Sequence, residues 1–128
     1  MVIKELFQSG DWKRENHVPA IEVEKEGEWV KVEVSVGKEI PHPNTTEHHI
    51  AWVEIYFLPE GEKFPYEIGR FEFLSHGASP QGADTSGIYT QPIVKAVFKT
   101  EKSGTILVFS CCNIHGLWGN SAELKLKG

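Results

Sequence analysis

Residues 28–37 read EWVKVEVSVG and decide the fold class. Val30, Val32, Val34 and Val36 fall on one side of the chain, and Lys31, Glu33 and Ser35 fall on the other. Side chains of extended backbone alternate between two faces, so this period of two marks a half-buried strand. Working outward, HIAWVEIYFL (49–58) is richer in apolar residues and reads as a more deeply buried strand. IVKAVFKT (93–100) and TILVFSCC (105–112) are the next candidates, and IGRFEFLSHG (68–77) alternates Phe71 and Phe73 against Glu72. HVPAIEVEKEG (17–27) is expected at a sheet edge, because Pro19 has no N–H to give to a ladder.

Turn signals at 26–28, 59–65, 77–87 and 102–104 separate these runs. The only helical candidate is a short stretch at residues 3–8. Many short strands with Gly/Pro-rich connections predict an all-β chain, an immunoglobulin-like antiparallel β-sandwich of about seven strands. No repeat, linker or low-complexity stretch interrupts the 128 residues, so residues 1–128 are expected to form a single domain.

A formal net charge of −5 argues against nucleic acid, whose binders usually present a basic face. No apolar run is long enough to span a membrane, and the N-terminal residues lack the apolar core of a secretory signal. A cytoplasmic location is therefore expected. The two cysteines, Cys111 and Cys112, are adjacent in SCCNIHGLWG (110–119) and point to thiol chemistry or metal binding rather than a disulfide framework.

Six histidines are many for this length. His42, His48 and His49 crowd into IPHPNTTEHHI (40–50), where Pro41 and Pro43 stiffen the backbone on both sides of His42. Imidazole and thiolate suit iron, copper or zinc rather than calcium or magnesium. Alternation along a strand turns His48 and His49 opposite ways, so at most one of them faces a given metal, and the same holds for Cys111 and Cys112. His76 reads as a surface side chain and Cys111 as a small buried hydrophobe.

Taken together, ENHVP (15–19), VGKEIPHPNTTEHHI (36–50) and CNIHGLWG (112–119) resemble the superoxide reductase family, the neelaredoxin and desulfoferrodoxin iron proteins. The resemblance extends over nearly the whole chain through YEIGRFEFLSHG and SGIYTQP. It implies one iron ion per subunit, held by His17, His42, His48 and His115 with Cys112 as axial thiolate, and one coordination position left open. It also implies that Glu15 caps that position in the oxidised state. The implied reaction is the one-electron reduction of superoxide to hydrogen peroxide, a defence against oxygen toxicity, with electrons from an external rubredoxin-like donor. An additional N-terminal domain with a four-cysteine iron centre, present in some members, is not expected with two cysteines. Members form homotetramers or homodimers, and a homotetramer is expected here.

On that resemblance, backbone N–H groups of Asn113, Ile114 and His115 are expected to hydrogen-bond the Cys112 sulfur and tune the iron. The chain departs from the family pattern in two places. Cys111 stands where the family usually has an aromatic, and Asn16 stands where many members carry a lysine thought to attract the anionic substrate. Lys13 and Arg14 lie just upstream and can supply that positive potential. Two other metal sites share parts of this pattern. A blue-copper sandwich also uses a late Cys-x-x-His, but normally with a nearby axial methionine, and the only methionine here is Met1. A structural zinc site would be closed with four ligands.

Overall fold

A computed structural model describes residues 8–126, and everything below concerns those residues. The helical candidate at 3–8 lies outside them except for Gln8, which forms an isolated bridge to Trp118. Seven strands run as β1 (Ala20–Glu26), β2 (Trp29–Ser35), β3 (Ile50–Pro59), β4 (Tyr66–Glu72), β5 (Ile93–Lys99), β6 (Gly104–Cys112) and β7 (Gly116–Leu124). They form two antiparallel sheets, one in the order β1-β2-β5 and the other β4-β3-β6-β7. The expected all-β, two-sheet architecture is therefore the observed one.

The alternation in 28–37 does what its period requires. Val30, Val32, Val34 and Val36 are buried, and they meet Val53, Ile55 and Phe57 of β3 and Ile106 and Val108 of β6 across the sandwich. Each such valine or isoleucine side chain removed from water contributes roughly 1.5–3 kcal/mol before entropy is charged against it. Phe57 and Phe98, with ring centroids 5.2 Å apart, carry the same contact to β5. β1 is an edge strand, with Pro19 immediately before it, as its sequence predicts.

Two strands differ from expectation. The run at 68–77 stops pairing at Glu72: the Phe73 N–H still reaches the Ala51 carbonyl, but Leu74 is 78% exposed and the chain leaves the sheet. The sequence does not mark β7, because Gly116, Gly119 and Asn120 dilute its apolar alternation, yet it pairs with β6 from Leu124 back to Gly116. That pairing makes Cys-x-x-His a hairpin turn. Cys112 and Gly116 are partners, so Asn113, Ile114 and His115 are the loop between them. Gly116 adopts φ 77°, the left-handed conformation that closes a three-residue hairpin loop and that glycine takes without strain.

Candidate metal centre

Three separate segments bring their histidines to one end of the sandwich. The first is the strap at 15–19, which lies against β6 and β7. The buried Ser110 hydroxyl donates to the His17 carbonyl at 3.3 Å, and the Asn120 amide donates to the Pro19 carbonyl at 2.7 Å. The second is the loop between β2 and β3. It folds back so tightly that a Cβ on Gly37, at φ 86°, would lie 2.6 Å from the His42 backbone nitrogen. The third is the β6–β7 hairpin with Cys112 and His115. A bulge near Ala51 marks the last rungs of β3 on β6, where Ile50 pairs with Cys112 and Trp52 with Cys111.

The four imidazoles stand in a closed ring. Centroids are 4.7 Å apart for His17 and His42, 4.8 Å for His42 and His48, 5.1 Å for His48 and His115, and 5.0 Å for His115 and His17. The diagonal from His17 to His48 is longer, 6.5 Å, as a near-square arrangement requires. Ligand atoms of His17, His48, Cys112 and His115 all lie within 4.8 Å of one another. His17 Nε2 is 3.2 Å from His115 Nδ1, and the Cys112 sulfur is 3.8 Å from that same Nδ1.

The donor set fits a transition metal on two further observations. His42 Nε2 and His48 Nε2 are buried and have no hydrogen-bond partner, a costly arrangement for polar atoms that nothing else here explains. Burial, reinforced by the neighbouring imidazoles, also pushes His48 below the usual histidine range and His42 down to about 4. Both therefore stay neutral near pH 7, the form that binds metal. The outer nitrogens are held as metal-binding histidines require. His17 Nδ1 is 2.7 Å from the Glu15 carboxylate, and His42 Nδ1 is 2.6 Å from the Pro43 carbonyl. Cys112 is buried, whereas His115 is exposed and opens one side of the ring to solvent.

The residues left outside the ring have other partners. His49 turns away, its Nδ1 2.9 Å from the Thr45 carbonyl and its ring stacked on His76 at 3.4 Å. His76 is thus a half-buried packing residue rather than a plain surface side chain. Cys111 is half-buried on the outer face of the sheet, and burial pushes its thiol up. Only part of the expected hydrogen bonding to sulfur is present: the His115 N–H reaches Cys112 Sγ at 3.3 Å, but the Asn113 N–H goes instead to the His49 carbonyl. Glu15 lies on the outer nitrogen of His17. Burial works against its charge, but bonds from the His17 ring and N–H hold its carboxyl below the ordinary range. Upstream, the Lys13 ammonium sits 5.6 Å from the Trp12 ring centroid and Arg14 lies 4.0 Å from Asp11, while Lys38 of the β2–β3 loop reaches the same ring at 5.7 Å and is ion-paired with Glu22.

One aromatic contributor was not visible as such in the sequence. Trp118 stacks on His17 at 4.6 Å and 13°, and its indole N–H donates to the His115 carbonyl at 3.3 Å, so one side chain braces two of the four imidazoles. The only available signal was its place in HGLWG.

Comparison with known proteins gives a consistent answer. A sequence profile described as Desulfoferrodoxin matches residues 9–121. Superoxide reductase from Pyrococcus furiosus is 60% identical over 124 residues, covering 97% of this chain and 100% of that one. Neelaredoxin from Megalodesulfovibrio gigas is 48% identical over 130 residues, covering 99% of this chain and all of its own. The solved structure of superoxide reductase (neelaredoxin) from Archaeoglobus fulgidus in the reduced form superposes with a TM-score of 0.92 at 64% identity, over 94% of this chain and 99% of that one. With its ring of four imidazoles beside a buried thiol, the chain belongs to the desulfoferrodoxin family.

Proposed function

We propose that this chain is a superoxide reductase, an oxidoreductase that converts superoxide to hydrogen peroxide with one electron and two protons. The observation that carries this reading is the ring of four imidazoles with two orphaned Nε2 atoms, in which the ligand atoms of His17, His48 and His115 lie within 4.8 Å of the Cys112 thiol. His17, His42, His48 and His115 would hold one iron ion, with Cys112 as the fifth ligand. Bound there, iron supplies one-electron redox chemistry toward superoxide, and a thiolate donor favours passing that electron on.

The protein's own groups do the rest. Lys13, over the Trp12 ring, provides positive potential in a chain of net charge −5 that has Asn16 after Glu15, whereas Lys38 is ion-paired with Glu22. Glu15 is assigned the catalytic role of a carboxylate that leaves His17 and closes the site after turnover. Its half-exposed position on a short strap gives it room to move. Exposure of His115 admits a small diatomic substrate while the buried thiol stays shielded.

The electron comes from an external protein donor, for which a rubredoxin-like partner is proposed, and the activity serves defence against oxygen. Two free thiols fit a cytoplasmic setting, and no helix among the described residues is long and apolar enough to cross a membrane. Residues 1–128 are taken as one domain. A homotetramer, or a homodimer as its smaller form, is supported by the outer face of the β4-β3-β6-β7 sheet. Trp52, Tyr56, Leu58, Leu107, Phe109 and Leu117 crowd there without being fully buried, and on the other sheet exposed Trp29, Ile93 and Val97 are interleaved with Glu22, Glu24, Lys31 and Lys95. Apolar area of this kind marks protein contact.

Metal analysis with visible spectroscopy tests the reading. One iron per chain with a sulfur-to-iron band that disappears in Cys112→Ser supports it; copper colour or a colourless zinc protein overturns it.

A further inference from the structure

His48 must be held in register with Cys112 and His115, yet it belongs to a loop far away in sequence. The β3–β6 ladder that could align them ends at Ile50 and Cys112. Beyond that last rung, one residue continues the pairing. Asn113 Oδ1 accepts from the His49 N–H at 2.8 Å, Asn113 Nδ2 donates to the Glu47 carbonyl at 2.8 Å, and the Asn113 N–H donates to the His49 carbonyl at 3.1 Å. The two side-chain bonds span 64 and 66 residues.

From these contacts we infer that Asn113 is the positioning residue that sets His48 against the Cys112–His115 turn. His48 lies between the two residues so gripped. Its own backbone closes onto Thr45, with its N–H on Thr45 Oγ1 at 3.0 Å and its carbonyl accepting from the Thr45 N–H at 2.9 Å. The loop is therefore a small rigid unit whose attachment to the hairpin runs through Asn113. A carboxamide suits the task because one short group presents an acceptor and a donor side by side. The partners here are one N–H and one C=O, so the amide orientation is determined. Aspartate keeps the acceptor but sets an oxygen against the Glu47 carbonyl, and alanine keeps neither.

This role rests on the metal reading above, and the experiment separates the two. Wild type, Asn113→Asp and Asn113→Ala are loaded with ferrous iron, and iron release to a chelator is followed with the ferric EPR spectrum. Loss of a partner that orients metal ligands typically costs 10–100-fold in metal affinity, so release from Asn113→Ala is expected to be about 10–100-fold faster, with a broadened spectrum. Asn113→Asp falls between. In the metal-free proteins, exchange of the His49 amide proton accelerates about tenfold in Asn113→Ala, a readout independent of iron and of whether the variant loads. Release rates within about twofold of wild type with an unchanged spectrum overturn the positioning role. A wild-type protein that holds no iron overturns the metal reading, and the positioning role with it. An unaccelerated His49 proton overturns the clamp itself.

Discussion

Gly37→Ala places a methyl group where the backbone leaves no room for one. At φ 86° an alanine carries the left-handed penalty of roughly 1–2 kcal/mol. Its Cβ would also lie 2.6 Å from the His42 backbone nitrogen and 3.3 Å from the His42 Cβ. Normal contact for such atoms is about 3.5 Å, so the two segments must separate by roughly 0.9 Å. Relief of overpacking of this kind costs roughly 1–3 kcal/mol. Gly27, in the β1–β2 turn at φ 59°, is the control, because nothing lies within 4 Å of an added Cβ there. Gly27→Ala feels the backbone term alone, and both substitutions share the same stiffening of the unfolded chain. The difference between them isolates the clash. In thermal denaturation, at roughly 4 °C per kcal/mol for a chain of this size, Gly37→Ala should melt about 4–12 °C below Gly27→Ala. Because the atom displaced belongs to His42, Gly37→Ala should also bind iron at least about tenfold more weakly while Gly27→Ala binds as wild type. Equal melting points and equal iron affinities for the two variants would refute the argument that the 37–42 fold-back places His42.

Other outcomes follow from the same geometry. Cys111→Ala should keep its iron and sulfur-to-iron band, because Cys111 faces the outer side of the sheet; loss of the band would mean the wrong cysteine has been assigned. Ile106→Ala, at a site with no exposure, should lose about 2–5 kcal/mol in denaturant titration without changing the ferric spectrum. Asp84 is a non-glycine residue at positive φ, and its carboxylate accepts from the Thr46 N–H at 2.9 Å and from Tyr89 at 3.1 Å. The Thr46 N–H bond outweighs desolvation and lowers its carboxyl below the ordinary 3.8. A lowered carboxyl stabilises above its unfolded value, so that contribution is lost as pH falls through 3.8 and below. Metal-free Asp84→Asn should therefore show a shallower acid loss of melting temperature than wild type, and identical slopes would count against the Thr46–Asp84 tie.

The sandwich was legible wherever burial is one-sided, since a strand with one wet face writes its orientation in alternate residues. EWVKVEVSVG is the plain case. β7 was not, because Gly119 and Asn120 serve neighbours rather than the core: Gly119 donates its N–H to Gln8 and Asn120 holds Pro19. The overlong reading of 68–77 arose because Phe73 stays buried after the ladder has ended, so hydrophobic period and hydrogen bonding part company there. At the site, alternation separated His48 from His49 and Cys111 from Cys112 without structural information, and the family resemblance named the four histidines whose rings the fold brings together. Asn113, Trp118 and Ser110 stayed hidden because each acts on a partner tens of residues away. A side chain's type does not announce which distant carbonyl or ring it will meet.

Pulse radiolysis of the iron-loaded ferrous protein tests the central claim most directly, following superoxide decay, iron oxidation and peroxide yield together. The account predicts one hydrogen peroxide per superoxide consumed, with iron oxidised in step. Half a peroxide per superoxide, with iron cycling unaided, would contradict it and identify a dismutase instead.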